Sequence, residues 1–301
     1  MSNPKKLNVA NSFPLCVEFQ TTSLCNAQCS CCPHHEVSQE TPCGYMSDDL
    51  IQKIISECSE HKEEMDLIIP YLNNEPFIDK RMIEILRLIK KHIHVDVEIS
   101  TNISHLSSEK AKIIVQENLI NTLRISMFGM NKETYERRMR GLRWERFSQN
   151  INNLVFERNS ANSNMAIEII MISQDGLSNE EVASARQEFE ANGLIVRLFG
   201  YLDRAGNNLV KNLIPLTQLH SRISACELNR PFERLVIRHD GTCVLCSQDW
   251  RGEVILGDIN NDSISKIWNS ETTRKIREIV SGGCDTPLNF ICRKCKLAIM
   301  E

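Results

Sequence analysis

Cys25, Cys29 and Cys32 stand in C-x3-C-x2-C spacing within the segment Cys25-Asn26-Ala27-Gln28-Cys29-Ser30-Cys31-Cys32. Three thiolates on one short loop can wrap three irons of a 4Fe–4S cluster and leave the fourth iron open. An open metal position is what a catalytic site keeps and a structural site closes. The same residues also suit a zinc ion that takes a fourth ligand from His34 or His35. A second set lies far along the chain: Cys226, Gly241, Cys246, Cys292 and Cys295. Here Cys243-Val244-Leu245-Cys246 and Cys292-Arg293-Lys294-Cys295 are two C-x2-C pairs, the ligand set of a zinc ribbon.

The distribution of cysteine supports two metal-binding islands. Of 13 cysteines in 301 residues, seven fall between Cys16 and Cys58, six between Cys226 and Cys295, and none in between. An odd count argues against a disulfide framework and for thiols kept reduced in the cytoplasm. Hydrophobic residues at 42% and charged ones at 25% are ordinary for a folded globular chain. The net charge of −4 has the wrong sign for a duplex-binding surface, so no nucleic-acid partner is expected. No apolar run reaches the roughly 18–20 residues of a membrane span.

The elements that must position the first island alternate between strand and helix. Strand-like runs occur at 15–20, 67–71, 95–99, 122–126, 166–172 and 194–199. Helical patterns stand between them, with Ser47 and Ser178 as N-caps and Glu181 completing a capping box. Six βα units in series imply right-handed crossovers and a parallel sheet. The fold class expected is α/β, an open partial (βα)6 barrel over 1–210. A small cysteine-rich domain over 211–301 follows it. Active sites of such barrels sit at the carboxyl ends of the strands, where Cys25, Cys29 and Cys32 fall after the first.

With these motifs in place, the chain resembles the radical S-adenosylmethionine (SAM) superfamily, which carries C-x3-C-x2-C after its first strand. In that family SAM chelates the open iron. Asn73-Asn74-Glu75-Pro76 is similar to the family's Gly-Gly-Glu-Pro, which meets the SAM amino group, although both glycines are lost. Ser100-Thr101-Asn102-Ile103 is similar to its Ser-Thr-Asn-Gly segment. Ile125-Ser126-Met127-Phe128-Gly129 is similar to Ile-Ser-Leu-Asp-Gly, whose serine contacts the ribose. The resemblance thus implies Asn73, Asn74, Glu75, Ser100, Thr101, Asn102 and Ser126 as SAM contacts. Cys31 replaces a residue that is often aromatic there, and reads as a small packed side chain.

The second island resembles the SPASM pattern in its shortened twitch form, which also accounts for Gly241, Leu256-Gly257-Asp258-Ile259 and Ile264-Ser265-Lys266-Ile267-Trp268. That resemblance implies one auxiliary 4Fe–4S cluster on Cys226, Cys246, Cys292 and Cys295, leaving Cys243 and Cys284 over. The zinc-ribbon set uses Cys243 and leaves Cys226 idle. Cys243 is also a candidate hydrogen-atom donor, as in radical epimerases of the superfamily. Arg204, in Asp203-Arg204-Ala205-Gly206-Asn207 after the sixth strand, is a candidate substrate contact. The segment is similar to an Asn-Arg-Gly-Gly segment of the twitch-type 2-deoxy-scyllo-inosamine dehydrogenases, and an arginine there can fork onto a hydroxyl or carboxylate.

What the resemblance implies for function is reductive cleavage of SAM to a 5′-deoxyadenosyl radical. The radical would take a hydrogen atom from a small hydroxylated substrate (aminocyclitol, sugar or nucleoside type), leading to oxidation or epimerisation in a biosynthetic pathway such as that of an antibiotic. A flavodoxin or ferredoxin would supply electrons. With the first strand beginning near residue 15, no N-terminal peptide-recognition domain is expected. A SPASM-type peptide maturase is the alternative within the family. A zinc-stabilised, non-catalytic interaction protein is the alternative outside it.

Overall fold

The computed structural model describes residues 8–173, 177–207 and 222–300, so the boundary expected at 210 lies outside the described residues. Six parallel strands form the barrel wall: β1 (Cys16–Phe19), β3 (Leu67–Ile69), β4 (Asp96–Thr101), β5 (Thr122–Ser126), β7 (Ala166–Ser173) and β8 (Ile195–Gly200). Two-residue strands β2 (Gln28–Cys29) and β6 (Met139–Arg140) pair with each other outside that wall. Helices α2 (Asp48–Glu60), α3 (Met82–His92), α4 (Ser108–Gln116), α6 (Trp144–Ser160) and α7 (Asn179–Glu190) fill the crossovers. Ser47, Ser107 and Ser178 cap α2, α4 and α7 by accepting the main-chain N–H three residues on. Each such cap contributes about 1 kcal/mol.

Strand alternation divides the side chains between two environments. Val17, Phe19, Ile99, Leu123 and Ile169 pack into one apolar core with Ile54, Leu86, Ile114 and Leu154 of the helices. The opposite strand face carries a charged ladder. Arg124 bridges Glu98 at 2.9 Å and Glu168 at 3.0 Å, and Glu168 takes Arg197 at 2.9 Å. Charges inside a barrel are tolerated when paired, and these side chains satisfy one another along the strands.

The C-terminal part contains β9 (Ile223–Cys226), α8 (Arg230–Glu233), β10 (Arg234–Ile237), β11 (Thr242–Val244), β12 (Ile255–Asp258), α9 (Ile264–Trp268), α10 (Glu271–Val280) and β13 (Ala298–Met300). Strand β10 pairs in parallel with β1, in register Cys16 to Arg234, and β11 and β12 continue from it antiparallel. One nine-stranded sheet results, in the order β12-β11-β10-β1-β3-β4-β5-β7-β8. The cysteine-rich part is thereby fixed to the barrel by main-chain hydrogen bonds beside the strand that leads into the Cys25–Cys32 loop.

Trp268, in the Ile-Trp segment, is the anchor of that attachment. It is fully buried, its indole N–H donates to the Asn11 carbonyl at 2.9 Å, and the Arg277 guanidinium stacks 3.9 Å from its ring. Trp268→Ala is expected to cost about 3–5 kcal/mol of stability, read from the urea midpoint at unchanged slope.

Candidate active site and cluster-binding residues

Cys25, Cys29 and Cys32 stand on the loop that leaves β1. That loop is held at one side by pairing of β2 with β6 and by the Ser30 N–H on the Arg138 carbonyl at 2.8 Å. Gly141 makes this approach possible: its φ is +92°, and a Cβ there would sit 2.8 Å from the Asn26 carbonyl. A short helix, α1 (His34–Glu40), follows, with the His34 ring on the Ser23 carbonyl at 2.8 Å. Burial pushes the Cys25 thiol up to about 12, opposed by the N–H groups of Ala27 and Asn26. Cys29 is raised well above the ordinary thiol range, first by burial and then by Cys31, Cys32 and Cys25 around it. Cys32 is raised by burial, against the His34 N–H and the charge of Arg204.

Three half-buried thiols crowded on one loop, each with a main-chain N–H at its sulfur, resist ionisation chiefly through loss of solvent, and at Cys25 and Cys29 also through the charge of neighbouring thiols. A bound metal centre relieves that repulsion and makes use of the N–H donors. The residues present therefore fit a cluster. Cys31 is buried beside Cys29 and Cys32.

Glu75 connects the cluster loop to the strand ends. Its main-chain N–H donates to the Leu24 carbonyl at 3.0 Å, and its side chain is buried. The carboxylate accepts from Thr101 Oγ1 at 2.7 Å, the Asn102 N–H at 2.7 Å and the Phe77 N–H at 3.2 Å. Asn102 Nδ2 in turn donates to Asn26 Oδ1 at 3.0 Å, inside the cysteine motif. Burial raises Glu75 to about 7 in spite of these donors. Glu75, Thr101 and Asn102 are thus one network with the loop, and Asn26 is a member that the sequence did not single out.

The other SAM candidates make contacts outside this network. Asn74 accepts the Leu72 N–H at 2.9 Å and shapes the turn, while Asn73 lines a cavity with Gln20, His34, Arg238 and Trp250. The Ser100 side chain meets the Tyr71 hydroxyl. Ser126 ends β5, in register with Ile170 of β7.

At the second island, Cys226, Cys246, Cys292 and Cys295 line one cavity together with Arg230, Gln248 and apolar residues such as Val280 and Pro231. Burial pushes Cys246 up to about 12 and Cys295 up to about 11. It also raises Cys292 well above the ordinary thiol range, with Cys246, Cys295 and Cys226 adding to it. The Leu297 N–H points at the Cys295 sulfur at 3.4 Å. Among the described residues no three His, Cys, Asp or Glu side chains gather tightly enough to hold a single metal ion.

Cys243 is not part of this set. It lies fully buried on β11 opposite Ile237, in the main apolar core, with its sulfur 3.8 Å from the Gly241 carbonyl. Its charged neighbours are Asp258, Asp240 and Glu57 rather than other thiols. Strand alternation turns Cys243 toward the apolar core shared with the helices, and it is not among the residues that line the four-cysteine cavity, which uses Cys226 instead. Cys284 is half-buried against the small C-terminal apolar cluster. Accordingly, Cys226→Ser is expected to remove about four irons from the reconstituted protein, and Cys243→Ser none, by iron and sulfide analysis.

Arg204 stands where the two islands meet. Its charge reaches Cys31 and Cys32, and its guanidinium stands 3.1 Å from the Gln248 side-chain amide, whose oxygen accepts from it once turned that way.

A barrel with a three-cysteine loop at its strand ends, joined to a four-cysteine cavity, has the layout of an iron–sulfur enzyme with a second cluster site. Comparison with known proteins gives the class. The radical SAM superfamily model matches residues 19–184, and the SPASM iron–sulfur cluster-binding domain matches residues 226–296. The chain belongs to the radical SAM superfamily, whose members use SAM and a 4Fe–4S cluster, and it carries a SPASM domain. No curated protein matches it in sequence.

Solved structures share the fold. BtrN in complex with AdoMet and 2-DOIA has a TM-score of 0.58 at 17% identity, over 89% of this chain and 88% of that one. Streptococcus suis SuiB bound to the precursor peptide SuiA has a TM-score of 0.69 at 14% identity, over 96% and 71%. AdoMet-bound anSMEcpe has a TM-score of 0.65 at 14% identity, over 95% and 93%. No helix among the described residues is long and apolar enough to cross a membrane.

Proposed function

We propose that this radical SAM enzyme oxidises or epimerises a small hydroxylated molecule of aminocyclitol, sugar or nucleoside type in a biosynthetic pathway. The observation that carries this reading is the charged ladder of Glu98, Arg124, Glu168 and Arg197 on the barrel face opposite the helices. Its half-exposed guanidinium groups offer forked donors, and its carboxylates offer acceptors, to a substrate rich in hydroxyl or amino groups. The likeness to BtrN, which spans 88% of that chain and was solved with 2-DOIA, supports it.

When bound, SAM and the two clusters supply a 5′-deoxyadenosyl radical that takes a hydrogen atom, and an acceptor for the electron that an oxidised substrate gives up. The residues of the chain position these groups. Cys25, Cys29 and Cys32 hold the catalytic cluster, and Cys226, Cys246, Cys292 and Cys295 the auxiliary one. Glu75 takes the SAM ammonium while Thr101 and Asn102 fix its carboxylate. Asn73, Asn74, Ser100 and Ser126 line the remainder, and a flavodoxin or ferredoxin delivers the electrons.

A peptide substrate is the second reading. The edge strand β8 exposes Ile195, Leu198 and Phe199 at 41–47%, an apolar rim on which an extended peptide can add a strand. The likeness to peptide-bound SuiB favours it. Incubating reconstituted protein with SAM, dithionite and a panel of aminocyclitols, sugars and nucleosides decides between them. Product two mass units lower, or a deuterium-marked epimer, with matching 5′-deoxyadenosine supports the small-molecule reading. Turnover confined to peptides would end it.

A further inference from the structure

Residues 203–207 wedge between the two cysteine sites. Arg204 and Ala205 take left-handed backbone, φ +54° and +53°, ahead of Gly206 at +81°. Left-handed conformation costs roughly 1–2 kcal/mol for each non-glycine residue and persists only where neighbours impose it. Here they do. Asp203 Oδ1 accepts the Ala205 N–H at 3.2 Å, and Asn207 Nδ2 donates to the Arg204 carbonyl at 2.9 Å and the Gln248 carbonyl at 3.3 Å. Arg251 donates to Asn207 Oδ1 at 2.6 Å and to Glu40 of α1 at 2.7 Å, so the wedge is also tied to the helix after the cluster loop.

At its centre is Gln248, 3% exposed. Its side-chain amide faces two guanidinium groups, and with the oxygen turned toward them it accepts from Arg230 Nη1 at 2.9 Å and Arg204 Nη1 at 3.1 Å. The main-chain N–H of Gln248 points at the Cys246 sulfur. Arg230 lines the four-cysteine cavity and donates to Ser247 Oγ at 2.9 Å. The other end of the pair, Arg204, reaches the catalytic loop at Cys31 and Cys32.

We propose that Arg230 and Arg204, joined on the Gln248 oxygen, form a cationic bridge between the two cluster sites, and that Arg230 holds the reduction potential of the auxiliary site up. Reduction adds one negative charge to a cluster, and a guanidinium beside its ligands in a low-dielectric cavity stabilises that charge. Gln248 is a neutral acceptor, so it gathers both arginines without cancelling either charge. The inference rests on the reading that Cys226, Cys246, Cys292 and Cys295 hold the auxiliary cluster.

The experiment is an EPR-monitored redox titration of the full chain, reconstituted anaerobically, as wild type, Arg230→Gln, Arg230→Lys and Gln248→Glu. The catalytic signal is the one that SAM perturbs. In Arg230→Gln the other midpoint is expected to move to more negative potential with about eight irons retained. Arg230→Lys should keep the wild-type midpoint. Gln248→Glu, which neutralises the bridge, should move it in the same direction as Arg230→Gln. A full iron complement with an unmoved midpoint in Arg230→Gln overturns the proposal. So does Arg230→Gln losing the second complement of iron while Arg230→Lys keeps it, because Arg230 would then only build the site. Wild-type protein with about four irons and a single titrating signal overturns the auxiliary-cluster reading itself, and the bridge with it.

Discussion

Cys25→Ala, Cys29→Ala and Cys32→Ala proteins, each reconstituted anaerobically and given SAM and dithionite, are expected to form no 5′-deoxyadenosine above the protein-free background. Each should also hold about four irons fewer per chain than wild type. The expectation follows from how the loop is built. The three half-buried thiols stand on one loop and are raised chiefly by loss of solvent, with neighbouring thiols adding at Cys25 and Cys29, so they suit one shared centre and none is a spare. Losing one leaves a second iron without a protein ligand, and Glu75, the acid beside Cys25, is already held by Thr101, Asn102 and Phe77. Cys31→Ala is the control, since Cys31 is buried beside the set but outside the C-x3-C-x2-C spacing. Its iron content should match wild type. Deoxyadenosine formed at the wild-type rate by any of the three alanine proteins would remove the catalytic assignment.

The parts of this arrangement that were legible in the sequence are local ones. Cysteine spacing survives any fold, because ligands three or four residues apart on a loop stay within reach of one another. The strand ends were legible because polar groups such as Thr101 and Ser126 follow short β-branched runs, and such groups face one rim of a parallel barrel. Pairing of β10 with β1 was not: Arg234-Leu235-Val236-Ile237 reads as a strand, but nothing in it names its partner 218 positions away at Cys16. The facing of Cys243 was available in principle. Placing Thr242–Val244 on a strand puts Cys243 and Val244 on opposite faces, so Cys243 and Cys246, three positions apart, are not expected to share one. The interruption at 139–143, which docks β6 against the cluster loop, had Gly141 as its single signal. Gln248 had none, because a buried amide that accepts from two arginines looks in sequence like any loop glutamine.

Glu75 is the residue whose titration should be visible in SAM binding. Its folded pKa of about 7 lies above the ordinary 4.5, chiefly because it is buried. Between those values the folded chain keeps a proton that the unfolded chain releases, so this group's contribution to stability declines as pH rises through the window. Above about pH 7 the whole penalty, on the order of 3 kcal/mol, is present. A cation bound against the carboxylate reverses the balance, because the charged form is the one it needs. SAM affinity in the wild type is therefore expected to climb from pH 6 to pH 8, and Glu75→Gln to bind about 10–100-fold more weakly at pH 8 with that climb abolished. The same variant, without SAM, should unfold at higher urea than wild type at pH 8 and lose that advantage at pH 5, since only the carboxylate pays for its own charge. Calorimetric titration of reconstituted protein with SAM gives the first result and denaturation the second. Equal affinities at every pH would place the SAM ammonium elsewhere, while the stability difference alone would still report a buried carboxylate held in the network of Thr101, Asn102 and Asn26.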